Sequence, residues 1–393
     1  MKEFKAILSE FRKLDLSQRK AAIATVVKVR GSSYRSPGAR MLITDDGKWV
    51  GSISGGCLEG DALRKARQVM TERKALTVTY DTSEDSNQNL GIGLGCNGII
   101  DVLIEPLAES GKDLIGWFEG IVKSTEAVAM ATVFAGPSAV GEKLLMSGNE
   151  VAGSITDPAF RKAVEKDLDT LFETQHSDTK TYDSPQGATE VFLELIQPSI
   201  TLIIFGGGFD ARPVSQLAKS LGWDVQVTDE CAAHIAPLFF PTADKLSMCD
   251  RKFIDRDFNI GPYTACVLMS HNYEYDRDVL RKLVKTDSPY IGILGPRKRF
   301  DKMVDEYQAE GLLLADEQLH RIHSPIGLDI GAEAPDEIAV SIIAEIQSKF
   351  TNRSGGFLKY RKGPIHKKDT HSDKVFKQIY ISGKGQDANI ANK

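Results

Sequence analysis

The sequence predicts an α/β protein in which an N-terminal mixed α+β domain is followed by a doubly wound parallel-sheet domain. The chain has 393 residues, enough for more than one domain, and its 41% apolar and 26% charged content is typical of globular proteins. Residues 21–107 combine strand-like alternation with one amphipathic helix. From residue 201 onward, short apolar runs alternate with helical patterns, which indicates repeated β–α units on a parallel sheet.

The first domain is expected to span residues 1–197. Its charged, amphipathic start lacks the continuous apolar region of a secretory signal and therefore predicts a first helix. The residue patterns predict strands at 21–30, 41–44, 45–54, 76–80, 99–107 and 128–134, helices at 58–73 and 113–122, and a hairpin at 147–149. Residues 175–187 form a polar stretch, and no internal repeat is visible.

The second domain is expected to span residues 198–350, followed by a basic tail at 351–393. Its pattern predicts strands at 201–205, 224–228, 245–248, 265–270, 290–294 and 319–322, alternating with helices at 213–221, 275–284, 298–309 and 335–349. The last helix begins at a proline beside two acidic residues, which favours helix initiation.

Charge and composition exclude several classes of protein. The net charge is −5, and since the tail holds ten Lys/Arg against three Asp, the rest of the chain is acidic and not suited to nucleic acid. No apolar run is long enough to cross a bilayer, so a cytoplasmic protein without a membrane partner is expected. Five scattered cysteines without a C-x-x-C pair indicate neither a disulfide framework nor a structural zinc site, and no metal ligands are assigned.

A glycine turn at residues 206–211, with the pattern G-x-G-x-x-A, follows the first strand of the second domain. Gly206 suits a tight turn, Gly208 lets a pyrophosphate approach the backbone, and Ala211 is small enough for close helix–strand packing. Asp229 ends the next strand, where it could accept a hydrogen bond from a ribose hydroxyl. These features predict a Rossmann-like nucleotide site.

Polar residues follow three other strands of the predicted sheet. They are His271, Arg297 and His323. Because ligands of such sheets bind outside the carboxyl ends of the strands, we expect the three side chains to line one crevice with the glycine turn.

The first domain contains a second kind of candidate site, centred on a thiol. Cys57 follows Gly55 and Gly56 immediately before a predicted helix, where N–H groups and the helix dipole favour the thiolate. Glu59 belongs to the same motif and is a further candidate catalytic residue. Cys96, between small residues, is the alternative nucleophile.

Arginines and glycines surround this thiol in the sequence. Seven glycines lie between residues 31 and 60, which suggests that backbone is held close to a ligand. Arg35 and Arg40 flank a Pro-Gly turn and could each bind a phosphate or carboxylate.

These residues alone leave the function open. An NAD(P)-dependent oxidoreductase would use the glycine turn for its cofactor and His271 or His323 as acid–base. A nucleotide-sensing interaction protein would use the same site without turnover.

The chain resembles the XdhC/CoxI family, the accessory and maturation proteins of xanthine dehydrogenase and carbon monoxide dehydrogenase. The resemblance extends from about residue 20 to residue 349. The motifs that carry it are GSSYRSPGARM, GSISGGCLEGDAL, GIGLGCNGIIDVLIEPL, LIIFGGGFDARPVSQLAKSLGWDVQVTD, YIGILGPRKR and IHSPIGLDIGAEAPDEIAVSII.

The resemblance implies a maturation factor more than a turnover enzyme. Such a protein binds molybdenum cofactor (molybdopterin) transiently, assists its sulfuration and inserts it into a molybdenum hydroxylase apo-enzyme. A cysteine desulfurase and a second copy of the chain are further expected partners. A glycine cradle would suit the cofactor's phosphate, and a cysteine thiolate would suit its metal.

Overall fold

A computed structural model divides the chain into two compact units, Met1–Pro198 and Ser199–Lys393. It describes residues 1–31, 33–82, 98–107 and 114–361. In these residues the first unit contains two five-stranded antiparallel sheets and the second a six-stranded parallel sheet. The fold class predicted from the sequence is therefore confirmed.

The first unit consists of two halves, defined by the described parts of residues 2–106 and 114–196. The first half contains α1 (Lys2–Phe11), β1 (Ala21–Gly31), β2 (Arg40–Thr44), β3 (Trp49–Gly51), α2 (Glu59–Glu72), β4 (Leu76–Asp81) and β5 (Gly98–Pro106). The second half contains α3 (Leu114–Lys123), β6 (Val128–Ala135), β7 (Lys143–Ser147), β8 (Glu150–Gly153), α4 (Pro158–Thr174), β9 (Asp178–Ser184) and β10 (Gly187–Ile196).

The two halves share one topology. Each begins with a helix, continues with three strands, a second helix and two further strands, and the strand orders β3-β2-β1-β5-β4 and β8-β7-β6-β10-β9 correspond one to one. The register also corresponds. Thr25 pairs with Arg40 and Leu103, and at the equivalent positions Thr132 pairs with Lys143 and Phe192. The first unit is thus a structural duplication.

Two buried ion pairs join the halves reciprocally. Arg40 on β2 binds Glu194 on β10 through both terminal nitrogens of its guanidinium. Nη1 lies 2.9 Å from Oε1 of the carboxylate. Lys143 on β7 binds Glu105 on β5. Arg40 and Lys143 occupy equivalent positions, as do the two glutamates, so each half supplies one cation and one carboxylate to the other.

Aromatic rings and glycines pack against the charged groups of these ion pairs. The Arg40 guanidinium lies 4.6 Å from the centre of the Phe4 ring, which itself meets Phe118 edge-on at 4.9 Å. Equivalent glycines approach the two carboxylates, and a Cβ atom on Gly38 would lie 2.6 Å from Glu194 Oε1. Glycine at that position is therefore required by the ion pair.

The core of the first unit lies in layers. The inner faces of the sheets meet through residues such as Leu103 and Phe192, with α1 and α3 contributing at one end. Helix α2 covers the outer face of the first sheet and α4 that of the second.

The second unit is a doubly wound sheet. Its strands are β11 (Thr201–Phe205), β12 (Asp224–Asp229), β13 (Lys245–Met248), β14 (Thr264–Leu268), β15 (Tyr290–Ile293) and β16 (Ile322–His323), in the order β13-β12-β11-β14-β15-β16. Its α-helices are α5 (Ala211–Ser220), α6 (Ile254–Asp257), α7 (Tyr273–Leu283), α8 (Arg297–Ala309), α9 (Asp316–His320) and α10 (Pro335–Phe350). Helices α5 and α10 pack on one face, and α7 and α8 on the other. The strand order reverses between β11 and β14, where ligands of such sheets bind.

Four features of the first unit were not predicted from the sequence, and one of them is strand β10. The 17-residue helix α4 was not predicted, and the polar stretch at 175–187 contains strand β9, whose residues are mostly exposed at a sheet edge. The duplication was not predicted either, because the few identical equivalent residues, such as Glu105 and Glu194, are scattered among others that differ, such as Arg40 and Lys143. In the second unit, part of the predicted strand at 319–322 is helix α9.

Replacement of Glu194 tests the reciprocal ion pairs. Glu194→Gln leaves the buried Arg40 charge without its anion and should lower the free energy of unfolding of the first unit by ~3–5 kcal/mol. The double change Arg40→Met with Glu194→Leu should cost less, since no buried charge remains. Hydrogen exchange of residues 1–198 measures the effect, and Glu150→Gln on an exposed strand residue is the control. A loss below ~1 kcal/mol in Glu194→Gln, in the range of surface pairs, would contradict this role.

Candidate functional sites

Three glycine-rich motifs of the sequence leave the first sheet at one end. Strand β1 ends at Gly31 beside the first residue of β5, and β3 ends at Gly51 beside the start of β2. Strand β4 also ends here, at Asp81. The connections at 32–39, 52–58 and 82–97 are therefore neighbours at their bases. Cys96 falls in the third and lies outside the described residues.

The Cys57 loop, residues 52–58, connects β3 to α2. Cys57 is half-buried, packs partly on the core beneath α2, and lies two residues before that helix begins. A Cβ atom on the adjacent Gly56 would meet nothing within 4 Å, so the outer surface of the loop is open. The loop thus presents a partly accessible thiol beside bare backbone.

The carboxylate of Glu59 fills the inside of this loop. Only 3% of the residue is exposed. It accepts hydrogen bonds from the hydroxyls of Ser52 and Ser54 and from the N–H groups of Ile53, Ser54, Gly55, Gly56 and Leu58. The N–H groups of Gly55 and Gly56, which the sequence pattern assigned to a cofactor's phosphate, are therefore bound to the chain's own carboxylate.

This environment fixes the charge of Glu59. Burial opposes ionisation, but the hydrogen bonds from Ser54 and Ser52 and from the loop backbone outweigh it and lower the pKa of Glu59 to about 2. Glu59 is consequently an anion at neutral pH and has no proton to donate there.

The structure places the two candidate arginines differently. Arg40 is 2% exposed and its guanidinium is bound to Glu194, so it is not available to bind the phosphate or carboxylate of a ligand. Arg35 is partly exposed and pairs with Glu3 of α1.

Tyr34 was not among the candidate residues predicted from the sequence. It is 63% exposed, and its Cβ lies 4.0 Å from the position that a Cβ atom on Gly55 would occupy. Tyr34 is therefore a neighbour of the Cys57 loop.

In the second unit, Asp229 is bound to the loop beside the glycine turn. Its Oδ2 accepts from Gly207 N at 2.9 Å and lies 3.1 Å from His234 Nδ1, while Oδ1 accepts from Cys231 N at 2.8 Å. A Cβ atom on Gly207 would lie 2.5 Å from the His234 carbonyl oxygen. The predicted ribose acceptor thus already bonds two backbone N–H groups.

The other part of the glycine turn remains open. The N–H groups of Gly208, Phe209 and Asp210 donate to no acceptor in the described part of the chain. The His271 ring lies beside Gly208, and its Nε2 is 3.6 Å from Asp210 Oδ2. His271 has a left-handed backbone at φ 58°, which is uncommon outside glycine. Asp210 was not among the predicted site residues, although it stands within the quoted motif.

His323 has different neighbours from His271. Its Nδ1 lies 3.1 Å from Glu345 of α10, and its ring stacks on Tyr290 at 4.4 Å. Burial opposes ionisation of Glu345, but hydrogen bonds from His323, Tyr290 and Gly327 hold the pKa of that carboxyl below its usual value. No ion pair or hydrogen bond in the described residues connects His323 with His271 or with the exposed Arg297.

The remaining described cysteines are distinct from Cys57. Cys266 is fully buried in β14, and burial raises the pKa of its thiol to about 12. Cys249 is buried as well, with a thiol pKa raised to about 11, whereas Cys231 is exposed.

No group of three or more His, Cys, Asp or Glu residues in the described ranges could hold a metal ion. In those ranges no helix has the length and apolarity needed to span a membrane.

Comparisons with known proteins converge on one family. The model described as the XdhC Rossmann domain matches residues 202–346, and that described as the XdhC and CoxI family matches residues 15–81. A Bacillus subtilis protein named as a probable xanthine dehydrogenase subunit is 31% identical over 84% of this chain and 93% of that protein.

Two further relatives cover most of the chain. The molybdenum cofactor insertion chaperone PaoD of Escherichia coli K12 is 24% identical over 85% of this chain and 84% of that protein. A crystal structure described as a xanthine dehydrogenase of Bacillus halodurans has a TM-score of 0.74 and 30% identity, covering 90% of this chain and 97% of that one.

Asp229→Asn tests whether the carboxylate holds the glycine turn. The amide has one oxygen where the carboxylate has two, so a backbone N–H is left unpaired and the free energy of unfolding should fall by ~1–3 kcal/mol without any nucleotide present. Thermal and urea unfolding measure it, with the exposed Asp305→Asn on α8 as control. Unchanged stability would leave a ligand contact as the role of this carboxylate.

Proposed function

Since the chain belongs to the XdhC and CoxI family, we propose that it is an accessory protein that binds molybdenum cofactor and delivers it to a xanthine dehydrogenase-type apo-enzyme. The proposal is supported by similarity over most of the chain to a relative named as a molybdenum cofactor insertion chaperone. The observation that carries it in this chain is Cys57, a half-buried thiol on an open loop beside two glycines.

The thiol fits the metal of such a cargo. Thiolates are soft ligands that suit soft or borderline metals, and a single thiolate holds a cargo that has to be released. The described residues contain no dense cluster of ligands that would retain it. In this proposal Cys57 contacts the metal, and sulfuration takes place while the cargo is held, with a cysteine desulfurase as sulfur source and a homodimer as the working assembly.

A second proposal concerns the glycine turn of the second unit. The free N–H groups of residues 208–210 and the neighbouring His271 favour an anionic group, and we propose a nucleotide phosphate there. A complete NAD(P) site receives less support, because Asp229 is engaged by Gly207 and Cys231.

Cys57→Ser should prevent maturation of the partner enzyme while leaving the fold intact. Serine has nearly the same size, but its neutral hydroxyl is a poor ligand for a soft metal. Co-expression with the apo-enzyme, followed by assay of its activity and mass identification of small molecules released from the chain, tests this. Activity should fall to that of enzyme expressed without the chain, and molybdopterin should be absent from the variant.

Cys231→Ser is the matched control for this experiment. It removes another accessible thiol, in the second unit, and should leave activation unchanged. Full activation by Cys57→Ser would refute the role of the thiol. Wild-type chain that carries no molybdopterin from a molybdenum-replete host would refute the carrier function.

Gly208→Val tests the nucleotide proposal. A Cβ atom at Gly208 would meet the His271 ring at 3.5 Å and the Met269 carbonyl oxygen at 3.9 Å, both at ordinary contact distance. The fold should therefore survive, whereas the branched side chain would block a phosphate. Calorimetric titration with AMP and NADH should show binding to the wild type that is at least ~tenfold weaker in the variant, a loss of about 1.4 kcal/mol. Equal binding by both proteins, or none by the wild type, would refute this site.

A further inference from the structure

We propose that Glu59 is the positioning residue of Cys57: its carboxylate is an internal anion that shapes the Cys57 loop and closes the N–H groups of residues 53–56 and 58 to any phosphate. The identity of the cargo rests on the proposed function. The shaping of the loop does not, and it can be tested on the chain alone.

The hydrogen bonds of Glu59 leave no room for a second anion. Oε1 accepts from four donors, including Gly55 N, and Oε2 from three, including Gly56 N at 2.9 Å. A carboxylate offers about four lone-pair sites, so these donors saturate it. A phosphate arriving at the same N–H groups would have to displace Glu59 or lie beside its negative charge, and both are unfavourable.

The same bonds fix the backbone on both sides of the thiol. Gly56 N and Leu58 N, which flank Cys57, both donate to Oε2 of Glu59. Glu59 is the first residue of α2, a helix whose N-cap residue, Leu58, provides no side-chain cap. The carboxylate therefore anchors the loop to the helix start, and Cys57 stays half-buried between the two anchored N–H groups.

The equivalent loop of the second half shows that starting the helix does not require this arrangement. It spans only residues 154–157 between β8 and α4, and the helix is capped by Asp157, which accepts from Phe160 N at 2.7 Å. The longer loop with its internal anion occurs only in the half that carries Cys57. We infer that Glu59 serves the presentation of the thiol rather than helix initiation.

A consequence concerns how cargo is recognised. With the inner N–H groups occupied, the Cys57 loop offers a thiol and an open glycine surface, and no phosphate cradle. A phosphorylated cargo would be held here through its metal, and its phosphate would bind elsewhere.

The test is chemical rescue of Glu59→Ala. Hydrogen exchange of the Ile53, Ser54 and Gly56 amides should speed up by at least ~tenfold in the variant, because their acceptor is lost. Added formate should restore protection, since it supplies a carboxylate to the vacated space, and it should change nothing in the wild type. Glu72→Ala, an exposed residue at the other end of α2, is the control for the helix. A second readout is the alkylation rate of Cys57 by iodoacetamide, which should rise in Glu59→Ala and fall back with formate.

Glu59→Gln covers the case in which the alanine variant does not fold. It keeps the size but replaces one acceptor oxygen by a donor, and the same amides should exchange faster. Unchanged exchange in both folded variants would overturn the positioning role. Protection of the Ile53, Ser54 and Gly56 amides in the wild type by inorganic phosphate would show an open cradle and overturn the closure. All these measurements use the chain without cargo, so their failure is distinct from failure of the carrier function.

Discussion

The first unit depends on two buried ion pairs that cross between its sheets. Each half contributes one cation and one carboxylate, and each of these charges is paired with a counter-charge of the other half. Separating the halves would leave four buried charges to be solvated or neutralised, at a cost of several kcal/mol per ion. The pairs therefore fix which strand of one sheet faces which strand of the other. The loops at the ends of these strands therefore start from positions that the ion pairs fix.

The two halves of the first unit differ in the loops that connect their equivalent strands. The loop after β3 holds seven residues, 52–58, whereas its counterpart after β8 holds only residues 154–157. Strands β9 and β10 are joined by a tight turn at residues 185–186, but residues 82–97 separate β4 from β5. The residues of the proposed Cys57 site thus lie in longer connections at one end of the first sheet, and the strands beneath them are equivalent in both halves.

Hydrophobic periodicity was enough to predict the strands and longer helices of most of the second unit, because parallel β–α units repeat one pattern and leave short apolar runs. It did not predict the short helices α6 and α9. It failed for α4 and β9 of the first unit, where charged residues cover a helix and a sheet edge that are exposed on one side. The motifs around Cys57 and Gly208 were found from glycine and cysteine placement alone. The burial of Arg40 could not be predicted, since its partner Glu194 lies 154 residues away along the chain.

In both units, a carboxylate of the chain occupies N–H groups that the glycine pattern alone would leave open to a ligand. In each, a glycine loop has N–H groups directed inward, and in each a carboxylate of the chain accepts from them, Glu59 in the first unit and Asp229 in the second. A sequence motif records that N–H groups are exposed by glycine, but not whether their acceptor is a ligand or a neighbouring acid. The two proposed sites accordingly use groups that these carboxylates leave unbound. In the first unit the group is the Cys57 thiol, and in the second it is the backbone at Gly208.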